Sequence, residues 1–378
     1  MRVLVTGGTG VVGDAGVRAL LAHGHRVRLL ARHASDDARA WPAPGDADAP
    51  GGPGSGVGIE AHDGDVTDPA SVAGAARGCD VVLHLVGTVA EHPPEVTYER
   101  VNVEGTRHMV DEAARSGVPR FVYVSSLGAD RGTSPYHQSK FAGELEAARF
   151  PGAWSVVRLA NVYGPGDAVV SLLLRMVRAL PALPLLGGGD IAFQPIWAED
   201  CGEALARACE RDDLAGAALD VAGDERTSMR DLLDRFARLT GRAPIRLPMP
   251  LPVARLGVKL ADAAGVDLGI NDSQLTMLAE GNTIEPPREN ALTAVLGVTA
   301  TPLDEGLRRL LDILPEQLPD DGLGALHHKR YWAEVTGPSE GAPALFRRFC
   351  ERFHALTPAA MDLTAEPDTP TAVLELHE

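Results

Sequence analysis

The stretch SPYHQSK (134–140) places Tyr136 and Lys140 with three residues between them. On a helix that spacing puts both side chains on one face, about 5–6 Å apart at Cβ. A phenol and an ammonium so placed can move a proton. A tyrosine titrates near pH ~10, so a base at neutral pH needs about 3–4 kcal/mol of help in forming the phenolate. A neighbouring cation supplies it. Ser126 stands ten positions earlier and could hydrogen-bond a substrate oxygen; Asn102 could hold a water in a proton relay. Taken alone, the pair could equally be two residues on a solvated helix face. Lys140, Lys259 and Lys329 are the only lysines in the chain, so a chance Tyr-x-x-x-Lys is rare.

The elements around these residues decide between the readings. RVLVTGGTGVVG (2–13) is a short apolar run followed by a glycine-rich turn, and DAGVRALLAHGH then reads as a helix. RVRLLA follows as a second strand, which completes the β-turn-α-β unit that opens a doubly wound sheet. Gly7, Gly10 and Gly13 give G-x-x-G-x-x-G between strand and helix. Such glycines let backbone approach a pyrophosphate, and the helix N-terminus supplies N–H donors, so the turn predicts a dinucleotide site. Asp14, next to the last glycine, is an unhelpful charge there unless it points away. The end of the second strand carries Ala31-Arg32 in place of the acidic residue that binds a ribose 2′-hydroxyl. Arg32 could meet a 2′-phosphate, which predicts NADP(H) over NAD(H). Asp65-Val66 after the third strand falls beside the adenine in such a site.

Further strands are expected at DVVLHLVG (80–87), RFVYVSS (120–126) and WSVVRLANVYGPGD (154–167), with a helix over TYERVNVEGTRHMVDEAARSG ending at Gly117. Residues 33–58, rich in Gly, Pro, Ala and Asp, read as a mobile surface insertion. Beyond residue 166 the pattern turns mostly helical. The expected layout is a nucleotide-binding domain over 1–165, with 190–225 returning to it. A smaller substrate lobe then comprises 166–189 and 226–314, and an appendage covers 315–378. TPLDEGLRRLLDIL (301–314) is the expected last helix of the lobe, with Thr301 as N-cap and Pro302 in its first turn. In the appendage, Leu345, Phe346, Phe349 and Phe353 form an amphipathic face, and HHKRYWAEV resembles the opening of a further domain.

A net charge of −17 repels phosphate backbones and argues against nucleic acid as a partner. Aromatic residues make up only 4%, so the core must be aliphatic. Cys79, Cys201, Cys209 and Cys350 form no CxxC pair, and no Cys/His cluster has zinc spacing; Cys201 and Cys209 read as packing residues of one helix. Together with a first strand that begins almost at Met1, this predicts a cytoplasmic protein. The apolar stretch 169–186 is broken by Arg175, Arg178 and Pro181 and does not read as a membrane span. LPMPLPVARLGVKLADAAG (247–265) could rest on a membrane, but a core helix is the stronger reading.

The motifs TGGTGVVG, GDV, HLVG, NVEGT, YVSS, YHQSK and RLANVYGPGD, in this order, resemble the extended and atypical branch of the short-chain dehydrogenase/reductase superfamily, the NAD-dependent epimerase/dehydratase type. FQPIWAEDCGEAL and LDVAGDERTSMRDLLDRFARLTGR look most like the subgroup that includes the NDUFA-nine-like accessory subunit of complex I. The resemblance covers about 1–314. It implies a Rossmann-type doubly wound parallel sheet with a smaller, mostly helical C-terminal lobe. It implies catalytic roles for Ser126, Tyr136 and Lys140, with Asn102 matching the asparagine of NVEGT and Lys140 also binding nicotinamide ribose. Cofactor contact is carried to Gly7, Thr9, Gly10, Val11, Val12 and Gly13, to Arg32, to Asp65 and Val66, and to Leu85, Val86 and Gly87, besides Tyr136 and Lys140. Asn161 matches a position that often contacts sugar-nucleotide substrates, although an asparagine on a turning strand is as often structural. Ser126 is followed by Leu127-Gly128 instead of an Asp-Glu pair, which disfavours dehydration.

Three functions compete. The first is an NAD(P)-dependent oxidoreductase or epimerase acting on a carbinol or ketone. The second is a non-catalytic NADPH-binding subunit or redox sensor. The third is peripheral membrane association through 247–265. The Ser126-Tyr136-Lys140 set favours chemistry, and the Leu-, Pro- and Ala-rich lobe leans toward an apolar substrate. Neither substrate identity nor oligomeric state is legible.

Overall fold

The computed structural model describes residues 1–38, 59–167, 169–179, 182–263 and 272–313, and the backbone of three strands within 332–377. Two compact units divide it. The first comprises Met1–Gly164, Ala192–Thr227 and Thr276–Gly306; the second comprises Pro165–Ile191, Ser228–Leu275 and Leu307–Glu378. Residues 276–306, expected in the substrate lobe, therefore pack with the nucleotide-binding part.

The first unit starts with β1 (Arg2–Thr6), α1 (Val11–Ala22), β2 (Arg26–Ala31), the short α2 (Ala34–Asp37), β3 (Ile59–Asp63) and β4 (Val81–His84). A π-helical turn (Glu99–Glu104) leads into α3 (Gly105–Arg115), followed by β5 (Arg120–Ser126), α4 (Pro135–Ala147), β6 (Ala153–Leu159) and β7 (Val162–Tyr163). After α5 (Val170–Ala179) and β8 (Ala182–Leu186) of the second unit, the chain returns with β9 (Ala192–Phe193), β10 (Ile196–Trp197), α6 (Ala198–Glu210) and β11 (Ala217–Val221). It leaves through β12 (Thr227–Ser228), α7 (Met229–Thr240), β13 (Ile245–Met249) and α8 (Leu251–Ala263), and comes back along α9 (Asp272–Glu280), α10 (Ala291–Ala294) and α11 (Leu303–Ile313).

Seven parallel strands form the central sheet, in the order β11-β6-β5-β4-β1-β2-β3. This is the doubly wound arrangement. Alternate residues face opposite sides, because side chains of a strand repeat every two residues. Val3, Val5, Leu29, Leu83, Val122 and Val157 join one core cluster with Val17 and Leu20 of α1 and Leu205 of α6. Leu4, Leu30, Val82, Phe121, Tyr123 and Val156 join the other with Met109 and Val110 of α3. Both faces are covered, which is why the strands read as unbroken apolar runs. Cys201 and Cys209 are fully buried on α6, and burial pushes both thiols up, so they act as packing residues.

Close helix packing depends on two glycines. A Cβ on Gly202 would lie 2.3 Å from the Ala15 carbonyl oxygen, so α6 can lie directly on α1. A Cβ on Gly143 would lie 2.2 Å from the Tyr123 hydroxyl, so α4 can close on β5. A charged cluster fastens α4 further. Arg158 of β6 donates to both Glu144 oxygens, at 2.9 and 2.7 Å, and to Asp130 at 2.8 Å. Arg288 donates to Asp130 at 2.6 Å and to Asp220 at 3.0 Å.

In the second unit β13 pairs in parallel with β8. Ala254, Val258 and Leu275 form a small core with Leu186, Met249 and Leu251. Of the stretch read as a core helix over 247–265, Leu247–Met249 belong instead to β13 and the helix is α8; Ala254 and Val258 on it are buried, while Val253, Leu256 and Leu260 stay exposed. Among the described residues no helix is long and apolar enough to cross a membrane. Strands β14 (Trp332–Thr336), β15 (Ala360–Thr364) and β16 (Thr371–His377) form an antiparallel sheet in the order β14-β16-β15. The amphipathic face at 345–353 lies outside the described residues, as does 39–58 of the expected insertion. Its first residues are ordered: α2 is pinned by Ser35, whose N–H and hydroxyl donate to Asp63 at 2.8 and 2.7 Å. Ahead of α11, the N–H and hydroxyl of Thr301 both donate to Asp200.

Candidate active site

The turn between β1 and α1 is built for close approach. Gly7 has φ +72°, and a Cβ there would sit 2.9 Å from the Val86 nitrogen, so the turn packs on the chain leaving β4. A Cβ on Gly13 would sit 2.1 Å from the Gly7 oxygen, so the first turn of α1 lies against the loop. Gly10 differs: its missing Cβ meets nothing nearer than the Gly7 oxygen at 3.9 Å. Gly7 and Gly13 are thus demanded by the protein's own packing, whereas Gly10 leaves open space at the N-terminus of α1. Thr9, Val11 and Val12 flank that space along the chain. The arrangement fits a pyrophosphate held by backbone N–H groups. Asp14 does not spoil it, because its carboxylate is paired with Arg18 Nε at 2.8 Å.

Toward the edge of the sheet, Arg32 is exposed just past β2, and Asp63, aligned with Ala31 in the sheet register, is occupied by Ser35. Asp65 Oδ1 accepts from the Thr67 N–H and hydroxyl, both at 2.8 Å, which fixes the turn after β3. Val66 is buried, and its carbonyl accepts from His108 Nδ1 at 2.8 Å.

The residues expected to move a proton come from β5, the π-helical turn and α4. Ser134 caps α4, accepting from the His137 N–H at 3.2 Å, and Pro135 occupies the first helical position. Lys140 is almost fully buried. Its Nζ donates to the Val124 carbonyl at 2.8 Å and lies 4.5 Å from the centre of the Tyr123 ring. Burial pulls its pKa down to about 7, against a smaller opposing pull from Glu144. A Cβ on Gly87 would come within 3.2 Å of that Nζ, so Gly87 keeps the ammonium's surroundings open. Tyr136 is partly exposed, yet the packing around it disfavours the phenolate. Its pKa is raised by burial, with a hydrogen bond to Ser126 pulling the other way and Tyr98 adding to the rise. The expectation of a lowered value therefore does not describe the protein alone: desolvation outweighs the hydroxyl, and Tyr136 is a neutral phenol.

Asn102 lies within the π-helical turn, a feature frequent at functional sites. Its side chain is fully engaged. Oδ1 accepts from the Thr88 N–H at 2.8 Å, and Nδ2 donates to the Thr88 carbonyl at 3.2 Å and to Ser139 Oγ at 2.8 Å. It clamps the chain after Gly87 to the Lys140 helix. Leu85 and Val86 are fixed from the other side, where Thr6 Oγ1 accepts from the Leu85 N–H at 3.2 Å. Asn161 donates its N–H to Asn282 Oδ1 at 2.9 Å, and its carbonyl accepts from the Ile196 N–H at 2.9 Å, so its backbone is structural.

Sequence reasoning missed several residues here. Buried His84 has Nδ1 2.7 Å from Thr6 Oγ1 and Nε2 3.2 Å from Thr106 Oγ1, whose hydroxyl donates to the Asn102 carbonyl at 2.7 Å. Burial, reinforced by Lys140, lowers its pKa to about 3, so it is neutral and serves as a strut under the site. Tyr98 packs edge-on against Tyr136, with ring centres 6.2 Å apart. His137 Nδ1 lies 2.6 Å from Glu280 Oε2, and Glu280 also accepts from the Thr133 hydroxyl at 2.7 Å and the Ser134 N–H at 3.0 Å. His84 lay inside the HLVG motif; Glu280 carried no signal, being 143 positions from its partner.

The model of the NAD dependent epimerase/dehydratase family matches residues 3–222. Among curated proteins, the chain is 31% identical over 252 residues to "Ceramide reductase" of Caulobacter vibrioides, covering 66% of this chain and 74% of the relative. It is 26% identical over 272 residues to "2-alkyl-3-oxoalkanoate reductase" of Stenotrophomonas maltophilia, covering 64% and 76%. Among solved structures, UDP-glucose 4-epimerase of Thermus thermophilus, complexed with NAD, aligns with a TM-score of 0.60 at 24% identity, over 82% of this chain and 98% of that one. An NADPH-dependent quinone oxidoreductase of Escherichia coli, complexed with NADPH, aligns with a TM-score of 0.62 at 18% identity, over 82% and 99%. These structures share the fold. With the family model matching more than half of its length, the chain belongs to the NAD dependent epimerase/dehydratase family.

Proposed function

We propose that the protein is an NADP(H)-dependent reductase of an apolar ketone or aldehyde, with Tyr136 as the proton donor. The observation that carries this reading is the placement of Tyr136: it stands in the first turn of α4, one helical turn before Lys140, which is buried and donates to the Val124 carbonyl, while burial favours the neutral phenol. A nicotinamide cofactor, when bound, supplies the hydride. Tyr136 gives its proton to the oxygen that becomes the alcohol, and Ser126 holds that oxygen in line. Lys140, fixed by the Val124 carbonyl, offers a cation beside the phenolate left behind. Asn102 keeps the two cofactor-facing segments in register. One reductase relative is named for a lipid, ceramide, and the other for a ketone with an alkyl chain, a 2-alkyl-3-oxoalkanoate; both names support an apolar substrate. The small molecule is the partner proposed; cytoplasmic location and absence of nucleic acid remain expectations of composition.

The assay is loss of NADPH absorbance with a panel of long-chain ketones, run beside cofactor titration. Turnover of at least one member supports the reading. The resemblance of residues 193–205 to the complex I accessory subunit favours a second one, a binder without chemistry. Tight NADPH binding with no turnover across the panel would favour that.

Preference for NADPH rests on Arg32, which is exposed beside a β2 end that carries no carboxylate at Ala31. A charge-assisted arginine–phosphate contact contributes about 1.5–3 kcal/mol, roughly ten- to a hundredfold in affinity. Fluorescence titration should show that Arg32→Ala loses most of this preference. Equal affinities for both cofactors in the unmodified protein would overturn the assignment.

A further inference from the structure

We propose that His23, His25 and Glu210 form a zinc site that staples the C-terminal end of α1 to the C-terminal end of α6. One nitrogen of each imidazole and one oxygen of the carboxylate lie within 4.8 Å of one another. Glu210 Oε1 is 2.8 Å from His23 Nδ1 and 2.7 Å from His25 Nε2. A tetrahedral zinc with bonds of about 2.0–2.1 Å needs ligand atoms ~3.3 Å apart, so Glu210 must back away from each imidazole by only about half an ångström, and a water completes the fourth position. The donor set, two neutral imidazoles and a carboxylate, suits zinc.

The groups are held in place before any metal arrives. His23 caps α1, Gly24 turns the chain at φ +78°, and His25 precedes β2, so the two histidines flank one tight turn. Glu210 is the last residue of α6, the helix that lies on α1 through Gly202. The second nitrogen of His23, Nε2, lies 2.9 Å from Glu203 Oε2. Zinc-bound histidines characteristically donate their other N–H to such a carboxylate. Glu203 is itself fixed, because its other oxygen accepts from Arg207 Nε at 2.6 Å. The N-terminal ammonium of Met1 lies 3.4 Å from His25 Nδ1, a long contact that zinc on Nε2 would replace, because Nδ1 then carries the ring proton. Without metal the same atoms share protons. Burial lowers the His23 pKa, the hydrogen bonds to Glu210 and Glu203 outweigh it, and the net direction is up. Zinc would displace that proton.

The site lies at the far end of α1 from the glycine turn. A 12-residue helix is about 18 Å long, so the metal is placed to hold the fold and not to touch the reaction. This separates it from the reductase reading, whose failure would leave it standing. The test uses the untagged full-length chain, stripped with chelator, dialysed and titrated with zinc chloride by calorimetry. One equivalent should bind, and saturating zinc should raise the melting temperature by about 5 °C. His25→Asn and Glu210→Gln should each lose binding at least tenfold, and Glu203→Gln should weaken it by roughly tenfold. NADPH affinity should not change in any of them. Cobalt should give the visible bands of a tetrahedral site. If a variant fails to fold, protection of His23 and His25 from diethylpyrocarbonate by zinc, read by peptide mass in the unmodified protein, takes its place. Absence of one-to-one binding, equal labelling with and without zinc, or binding that survives the His25→Asn/Glu210→Gln double variant would overturn the site.

Discussion

Lys140 sets stability against chemistry. Burial lowers its pKa to about 7, below the ~10.4 of an exposed lysine. Between those values the unfolded chain binds a proton that the folded chain does not, so stability rises with pH across that window. Below pH ~7 the ammonium is charged in both states, and its burial costs a few kcal/mol. Lys140→Met keeps the length, removes the charge and loses one hydrogen bond to the Val124 carbonyl, about 1 kcal/mol. The variant should therefore be the more stable protein at pH 6, by about 1–3 kcal/mol, and lose that lead as the pH approaches 10. Urea midpoints at three pH values check it; a gap that does not change with pH would exclude a charged, buried Lys140. Tyr136→Phe tests the partner residue. It deletes the proton and keeps the ring against Tyr98, so turnover should fall by about 10²–10⁴ while NADPH affinity moves less than roughly twofold. Full activity in that variant would rule out proton transfer by Tyr136.

At the scale of elements, the N-terminus of α4 is where the site is hung. Glu280, at the end of α9, accepts from Thr133, Ser134 and His137, and these contacts hold its pKa low even though burial pushes it up. Its contribution to stability is present above the ordinary carboxylate range, about pH 4.3, and is lost as the pH falls through the lowered folded value. Glu280→Ala should cost about 1–3 kcal/mol at pH 7, read from urea unfolding, and should lower kcat more than it weakens NADPH binding. Unchanged kcat would show that Glu280 only anchors the loop. This contact also marks what a single sequence conveys. Strand β5 lies at Arg120–Ser126, where the run RFVYVSS places it, and the glycine turn lies between β1 and α1 as expected. Both are local patterns of period or spacing. Glu280 to His137, Thr6 to His84 and Arg288 to Asp130 are pairings across 143, 78 and 158 positions, and nothing local announces them. The raised pKa of Tyr136 was hidden for the same reason, because desolvation depends on what packs around a residue.

On the scale of the whole molecule, the proposed cofactor site lies within the first unit. Every residue assigned to the cofactor, from Gly7 to Lys140, falls within Met1–Gly164. The seven strands of the sheet that positions those residues pair with one another, ending at β11 (Ala217–Val221) on one edge and β3 on the other. Among the described residues beyond 316, no strand joins that sheet; β14, β15 and β16 pair among themselves. Truncation after Glu316 keeps α11, which ends at Ile313, and removes all three of these strands. It also changes the charge of a chain whose net value is −17. At physiological salt the Debye length is about 8 Å, so that change reaches the 2′-phosphate of NADPH only weakly. Affinity for NADPH should therefore stay within roughly twofold of the full chain, a difference of about 0.4 kcal/mol. Fluorescence titration of both proteins in the same buffer measures it. A loss greater than about tenfold, persisting at high salt, would mean that residues beyond 316 pack against the nucleotide-binding unit and support its closure on the cofactor.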